Sequence, residues 1–182
     1  INDKWTIDSR VSKIHSDGFV DRASTDLQSF YTSAAYYGDR SILRFTMFTG
    51  KEKTYQSWYG IPKDSLVNNR TYNPYTYDNE TDNYQQDHYQ LHYSKEFTRN
   101  ISLNLAGHYT RGKGYYESFK DGRDDMGYYG VAYPIVGNDT IFETDAVHQK
   151  WLDNHFYGAT FSVNYNNFKK LKATLGGAFN QY

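Results

Sequence analysis

The chain has 182 residues, a net charge of −1 and a sequence pI near 6.6. This length predicts a single domain, and the near-neutral charge supplies no global field that would attract nucleic acid. No cysteine is present, which excludes a disulfide framework and a thiolate metal site. The mean hydropathy is only −0.87, yet 19% of the residues are aromatic, and disordered chains are poor in aromatic residues.

Alternation of apolar and polar side chains predicts about seven β-strands, and no stretch shows a convincing helical period. The predicted strands cover residues 5–12, 27–37, 43–47, 88–94, 101–109, 157–165 and 171–180. In the hairpin at 88–112 the side chains of Tyr89, Leu91 and Tyr93 oppose those of His88 and His92. The chain is therefore predicted to be all-β, with strands that have two chemically different faces.

Short and long connections are predicted to alternate strictly along these strands. The short ones lie near 37–41, at 97–100 and at 166–171, and the long ones at 14–26, about 56–87 and about 112–155. In an antiparallel up-and-down sheet this alternation places every short turn at one end and every long loop at the other. Transmembrane β-barrels of the outer membrane have this sidedness, with apolar side chains directed outward and polar ones inward. The predicted fold is therefore part of such a barrel.

This fold assigns the two faces of the hairpin. The side chains expected to face lipid are those of Tyr89, Leu91, Tyr93, Ile101, Leu103 and Leu105. The side chains expected to face the lumen are those of His88, His92, Asn104 and His108. Residues 97–100 then form a periplasmic turn.

Two segments resemble TonB-dependent outer-membrane receptors of the Bacteroidetes type: "HSDGFVDRASTDL" at 15–27 and "FTGKEKTYQSWYGIP" at 48–62. They lie within a longer similar stretch at 9–62, and "HQKWLDNHFYGATFSVNY" at 148–165 resembles a later strand of the same proteins. The resemblance is weakest at 63–87 and 112–147.

The family resemblance implies a barrel of about 22 strands that is plugged by an N-terminal domain and driven by TonB. Residues 1–182 would be a partial barrel of about seven strands with three long external loops, without the plug domain and the TonB-contacting region. The implied function is import of a scarce nutrient, a ferric siderophore, haem or cobalamin, across the outer membrane of a Gram-negative bacterium. The implied partners are lipid, the TonB complex, the nutrient and a surface lipoprotein. No cofactor, metal or nucleic acid is expected.

Aromatic residues on the long-loop side are the candidate ligand-binding residues, since flat rings with polar groups suit stacking on a cargo. The candidates are Trp58, Tyr59, Tyr72, Tyr75, Tyr115 and Tyr116, joined by His15 and Asp17 from the first long loop. An interfacial girdle or packing between loops would use the same aromatic residues. Lys51, Glu52 and Lys53 could contact lipopolysaccharide or one another.

Other sequence features point to no site. On a strand His88 and His92 share a face but lie roughly 13 Å apart, too far for one metal ion. The acidic segment with Asp121, Asp124 and Asp125 lacks the spacing of a calcium loop and is expected to be a solvated loop. No nucleophile–base motif is present, so the chain is predicted not to be an enzyme and has no catalytic residue.

Two alternatives remain open at this level. A soluble β-sandwich, such as a carbohydrate-binding or adhesin module, also has alternating strands and exposed aromatic residues. It would not explain the alternation of short and long connections. The second alternative is the glycan-importing branch of the same receptor family.

Overall fold

The structure, a computed structural model, describes residues 3–182, without the side chains of residues 123 and 124. The elements are β1 (Trp5–Ser16), β2 (Thr25–Gly38), β3 (Ser41–Tyr55), α1 (Lys63–Asn68), β4 (Thr81–Glu96), β5 (Ile101–Asp125), a 3-10 turn (Met126–Tyr129), β6 (Ile135–Val136), β7 (Asp139–Thr140), β8 (Glu143–Asn166) and β9 (Lys172–Gln181). Seven strands form one antiparallel sheet in the order β1-β2-β3-β4-β5-β8-β9, and β6 and β7 form a separate hairpin. Within the described part of the chain, no helix is long and apolar enough to cross a membrane.

The predicted all-β, up-and-down architecture is confirmed. The sheet has no second large sheet packed on it among the described residues, so the β-sandwich alternative does not fit. One departure from the prediction is α1, a single short helix in the connection between β3 and β4.

The long-side connections are shorter than predicted. The first spans residues 17–24, the second 56–80 and the third 126–142. The prediction of a loop over 112–155 was wrong at both ends, because β5 continues to Asp125 and β8 begins at Glu143. In this part of the two strands glycine and charged residues interrupt apolar ones such as Phe119 and Trp151, so the apolar alternation is broken although the backbone ladder continues.

The short turns are fixed by local hydrogen bonds. Between β2 and β3 only two residues intervene, and Arg40 there has a φ of 52°. In the turn between β8 and β9 the Asn167 Oδ1 atom accepts hydrogen bonds from the backbone N–H groups of residues 169, 170 and 171 at 2.9–3.1 Å. An asparagine side chain that satisfies a turn in this way stabilises it locally.

Pairing in register divides the sheet into two faces, which we call the Leu91 face and the His92 face. Partner residues on neighbouring strands form straight rows, such as Met47, Tyr89, Tyr109 and Tyr157 on the Leu91 face. The six lipid-facing residues predicted in the hairpin all lie on the Leu91 face, and the four predicted lumen residues lie on the other. The structure thus confirms this division of the side chains between two faces.

The Leu91 face carries an exposed apolar band in the half of the sheet next to the short turns. Its side chains include Ile7, Phe45, Leu91, Leu105, Phe161 and Leu175, which are 40–71% exposed. On β5 the band runs from Ile101 to Tyr109, which is about 27 Å along the strand. A row of aromatic residues, Tyr89, Tyr109 and Tyr157, lies at the border of the band towards the long loops.

The His92 face is polar and more crowded. Ser33 and Ala35 on this face are only 7% and 2% exposed. Histidine, asparagine, serine and threonine side chains follow one another across β4, β5 and β8. This crowding is what a curved sheet produces on its inner side.

Candidate ligand-binding site

A buried polar centre around Glu117 holds the long connection 56–80 onto the sheet. The Glu117 carboxylate, on β5, accepts hydrogen bonds from Tyr77 Oη (2.8 Å), Asn79 Nδ2 (2.6 Å) and Gln149 Nε2 (2.7 Å). The residue is 5% exposed. Burial alone would raise the pKa of the Glu117 carboxyl, but these three donors more than offset that effect and lower its pKa. The carboxylate is therefore an ionised anchor for the loop.

Asn73 and Arg22 tie the same connection to the first long loop. The Asn73 Nδ2 atom donates to the backbone oxygens of Asp21 and Gln56, at 3.0 Å each. The Arg22 guanidinium donates to the backbone oxygens of Asn73 (3.0 Å) and Tyr75 (2.9 Å). Since Asn73 is 2% exposed, its amide has to be satisfied within the protein, and it is. Two loops and the sheet thus form one packed unit at the long-loop end.

Four aromatic residues meet on this unit, and we call them the aromatic cluster: Trp58, Tyr59, Tyr75 and Tyr116. The Trp58 ring contacts Tyr116 edge-on at 5.6 Å between centroids and Tyr75 at 6.5 Å. Tyr59 and Tyr75 are 5.4 Å apart. Trp58 and Tyr59 remain 58% and 66% exposed, so their ring faces are available to a ligand.

The Tyr75 hydroxyl of the cluster remains protonated in neutral solution. Burial, together with the neighbouring Tyr59 hydroxyl, raises the pKa of Tyr75 to about 12. The Nζ atom of Lys150 lies 5.6 Å from the centroid of the Tyr116 ring. The hydrogen bond to Tyr116 raises the pKa of Lys150, which keeps its ammonium charged. The cluster therefore combines exposed rings, hydroxyl donors and one cation, a chemistry that suits a flat anionic ligand.

The structure brings together Trp58, Tyr59, Tyr75 and Tyr116 from the eight predicted ligand-binding residues. Tyr72 lies in the same connection but makes no ring contact with the cluster among the described residues. Tyr115 points to the opposite face of β5 and packs on Trp151 at 4.6 Å between ring centroids. The prediction that Tyr115 and Tyr116 belong to a loop was wrong, because both lie within β5.

His15 and Asp17 lie apart from the cluster. His15 is the penultimate residue of β1 and not part of a loop as predicted, and its ring is on the Leu91 face. Its Nδ1 atom is 2.8 Å from Asp26 Oδ1, and its Nε2 atom is 3.3 Å from Asp17. These contacts join the first long loop to β1 and β2.

The sequence patterns did not reveal the importance of Glu117, Asn73 or Lys150. A single buried carboxylate in a polar stretch has no distinctive spacing, and its partners come from two distant parts of the chain, the connection 56–80 and β8. Lys150 precedes Trp151 in one of the segments that resemble receptor strands. This resemblance was the sequence feature that could have pointed to Lys150.

The remaining candidate residues make local contacts. The His88 Nδ1 atom is 2.9 Å from Thr110 Oγ1, and the His92 Nε2 atom is 3.5 Å from Gln90.

The acidic segment is not a loop but the end of β5, where the register shifts between Lys120 and Asp124. Asp125 there accepts hydrogen bonds from Gly127 and Tyr133, at 2.8 Å each. Among the described residues no group of three or more His, Asp or Glu side chains could hold a metal ion.

Comparison with known proteins gives a fold but no close relative. No protein-family model matches the chain, and no curated protein matches it in sequence. Its structure is similar to crystal structures of the ferric-catecholate import receptor Fiu from E. coli K12. The closed form superposes with a TM-score of 0.67 over 99% of this chain at 14% identity, and the open form with 0.66 over 99% at 12% identity. The chain spans 28% and 30% of the length of those chains. At this identity the likeness concerns the fold, that of part of an outer-membrane receptor barrel.

Proposed function

We propose that this chain is a section of the barrel of a TonB-dependent outer-membrane receptor that imports a scarce nutrient. The observation that carries the proposal is the sidedness of the sheet. An exposed apolar band lies next to the short turns, while the aromatic cluster lies at the long-loop end, above the polar face. A soluble domain would not leave so large an apolar face exposed.

In this proposal the Leu91 face contacts lipid and the His92 face lines the lumen. A strand section of about 27 Å that is tilted by roughly 40° spans about 20 Å, close to the apolar height of an outer-membrane barrel. The row of Tyr89, Tyr109 and Tyr157 then marks the membrane interface on the long-loop side. The protein lies in the outer membrane of a Gram-negative bacterium, with residues 97–100 on the periplasmic side.

The aromatic cluster then binds the nutrient at the external mouth of the lumen. Tyr116 and Lys150 both belong to the His92 face, so the cluster lies over the lumen and not over lipid. Trp58 and Tyr59 provide exposed rings for stacking, and Lys150 provides positive charge.

Among possible cargoes we propose a ferric catecholate siderophore first. Two features support it: the combination of rings with a cation, which suits an aromatic anion, and the fold likeness to a receptor described as a ferric-catecholate importer. Haem and cobalamin are alternatives of the same class, and the glycan-importing branch would need sugar-stacking rings without the cation. Energy from the TonB complex, contact with a surface lipoprotein and membership of the Bacteroidetes type belong to this proposal as well. No catalytic step is part of it.

The test is ligand binding by the full-length protein that contains this chain, with Trp58→Ala and Tyr116→Ala introduced together. We expect the affinity for a ferric tricatecholate to fall roughly 30-fold or more, since each stacked ring contributes about 1 kcal/mol or more. Titration followed by isothermal calorimetry in detergent would measure the change.

The matched control is Trp151→Ala with Tyr115→Ala, which removes the same ring types from the Leu91 face. This pair is expected to bind ferric tricatecholate as the wild type does. Equal losses in both variants, or none in the first, would contradict a binding role for the cluster. Tight binding of an oligosaccharide in place of the siderophore would support the glycan branch.

A further inference from the structure

Beyond the aromatic border, the Leu91 face carries a regular row of cations. The residues in register across six strands are Lys13, Gln28, Lys51, Gln85, Lys113 and Asp153. Lysine thus alternates with glutamine, and consecutive lysines are two strands apart. Since neighbouring strands are about 4.8 Å apart, the lysines repeat at about 10 Å. We call Lys13, Lys51 and Lys113, with Gln28 and Gln85 between them, the lysine row.

The position of the row relative to the apolar band is fixed by the same register. On β4 the row lies at Gln85, four residues beyond Tyr89. Four residues correspond to about 14 Å along the strand, or about 10 Å in height for a strand tilted by roughly 40°. A row at this height, on the face that carries the apolar band, lies where lipid headgroups lie.

The side chains of the row are exposed and point away from the sheet. Their neighbours in sequence, such as Leu27 and Tyr84 on the other face, are half-buried. Lys51 and Lys113 also line a groove of about 460 Å³ together with Gln85, Arg111 and Trp151. The groove offers amide donors and cations on the same surface.

The carboxylates near the row are already engaged by other groups. Asp153 forms an ion pair with Arg111 and lies 4.0 Å from Lys113. Asp87 accepts hydrogen bonds from Thr49 and Gln85, and Asp26 is bonded to His15. Lys113 thus shares Asp153 with Arg111, whereas Lys13 and Lys51 form no ion pair among the described residues, so the charges of these two lysines are available to an external anion.

We propose that the lysine row binds the phosphate groups of lipids in the leaflet that surrounds the long-loop end of the barrel. This inference rests on the orientation in the proposed function. Each lysine contacts a phosphate oxygen as a point charge, and the spacing of about 10 Å allows two phosphates of one headgroup, or of adjacent lipids, to be held side by side. The glutamine amides donate hydrogen bonds between them. Because surface charges are screened by salt, this contact weakens as ionic strength rises.

The test uses the full-length protein in detergent and three probes: bis-phosphorylated lipid A, the same lipid without its phosphates, and inorganic phosphate. Binding is measured by native mass spectrometry of the wild type and of a K13Q/K51Q/K113Q variant. We expect the affinity of the variant for bis-phosphorylated lipid A to fall by about tenfold or more. Its affinity for the dephosphorylated lipid should equal that of the wild type. The matched control is K169Q/K170Q/K172Q, which removes three lysines near the short-turn end and is expected to bind like the wild type.

Equal affinity of wild type and K13Q/K51Q/K113Q for the phosphorylated lipid would overturn the inference. Equal affinity of the wild type for both lipids would do the same. Inorganic phosphate that binds as tightly as the phosphorylated lipid would also overturn it, because the lysine row would then be a site for free phosphate. Flotation of wild-type membranes separates this inference from the proposed function: a protein absent from the outer-membrane fraction contradicts the function itself, while an inserted protein with unchanged lipid binding contradicts only the lysine row.

Discussion

Glu117 is the residue on which the arrangement of the long connection most depends. Its carboxylate accepts three hydrogen bonds: two of the donors, Tyr77 and Asn79, lie in the connection that carries Trp58, and the third, Gln149, lies on β8. The site therefore depends on an ionised group that does not itself contact the ligand. A hydrogen bond to a charged partner typically contributes more than a neutral one, about 1.5–3 kcal/mol.

The change Glu117→Gln is expected to destabilise the connection 56–80 by about 2 kcal/mol, because a neutral amide cannot accept all three bonds. An opening equilibrium shifted by that amount increases cleavage of a transiently open loop roughly 30-fold. Trypsin cleavage after Lys63 and Arg70 measures this opening. The control is Glu143→Gln, which neutralises an exposed carboxylate on β8.

Acid should reproduce the effect in the wild type. The pKa of Glu117 is lower in the folded protein than its ordinary value of 4.5, so its stabilisation is complete above pH 4.5 and is lost as the pH falls through the folded-state pKa. Hydrogen exchange of the connection, corrected for intrinsic rates, should show this loss in the wild type and not in Glu117→Gln. Identical acid profiles of the two proteins would exclude Glu117 as the anchor.

At the level of elements, the long strands β5 and β8 were only half predictable. In residues 101–109 the alternation of Leu103 and Leu105 with polar residues indicates a two-faced strand. From Gly112 onward the pattern is lost, because glycine and charged residues interrupt the apolar ones. Backbone hydrogen bonds to β8 extend the strand beyond this point, and such pairing leaves no trace in the pattern of apolar side chains. The misplaced Tyr115, Tyr116 and His15 all belong to such polar strand ends.

Close approach between β4 and β5 gives a prediction for Gly114. A Cβ atom at this position would collide with the backbone oxygen of Asn83 and lie 2.6 Å from Tyr84 Cα. We therefore expect Gly114→Ala to destabilise the folded protein by about 1–3 kcal/mol, as overpacking does. Denaturant titration of the detergent-folded protein measures the change.

Gly107 provides the matched control on the same strand. A Cβ there would approach no atom closer than 3.9 Å, at the backbone oxygen of Gly158. Gly107→Ala should therefore unfold at the wild-type denaturant concentration. A similar loss in both variants would mean that glycine content, and not the contact with β4, limits the stability of β5.

At the level of the whole molecule, the alternation of short and long connections could be read from turn residues, and with it the order of the strands. The partnership of Trp58 with Tyr116 could not, because these residues are 58 positions apart and meet only after the connection folds onto β5. Periodicity also could not decide which face meets lipid. Only the loop sidedness and the exposed band support that orientation.

Spin labels on adjacent residues test the orientation. We expect a nitroxide at Leu91→Cys in the full-length protein to be accessible to oxygen dissolved in lipid and protected from a water-soluble nickel complex. A nitroxide at Gln90→Cys, one residue away on the His92 face, should show the reverse preference. The chain itself contains no cysteine that would interfere. Equal accessibility at both positions would contradict a lipid-facing Leu91 face.

The strands of the sheet end at very different heights, and this gives the site a direction of approach. β1 has 12 residues, whereas β5 and β8 have 25 and 24 and continue about ten residues beyond the row of Tyr115 and Trp151. Ten residues amount to about 34 Å of strand. The rim is therefore stepped, low at β1 and β2 and high at β5 and β8. In the proposed receptor the extensions of β5 and β8 form a wall beside Trp58, so we expect a ligand to reach this ring from the side of β1 and β2.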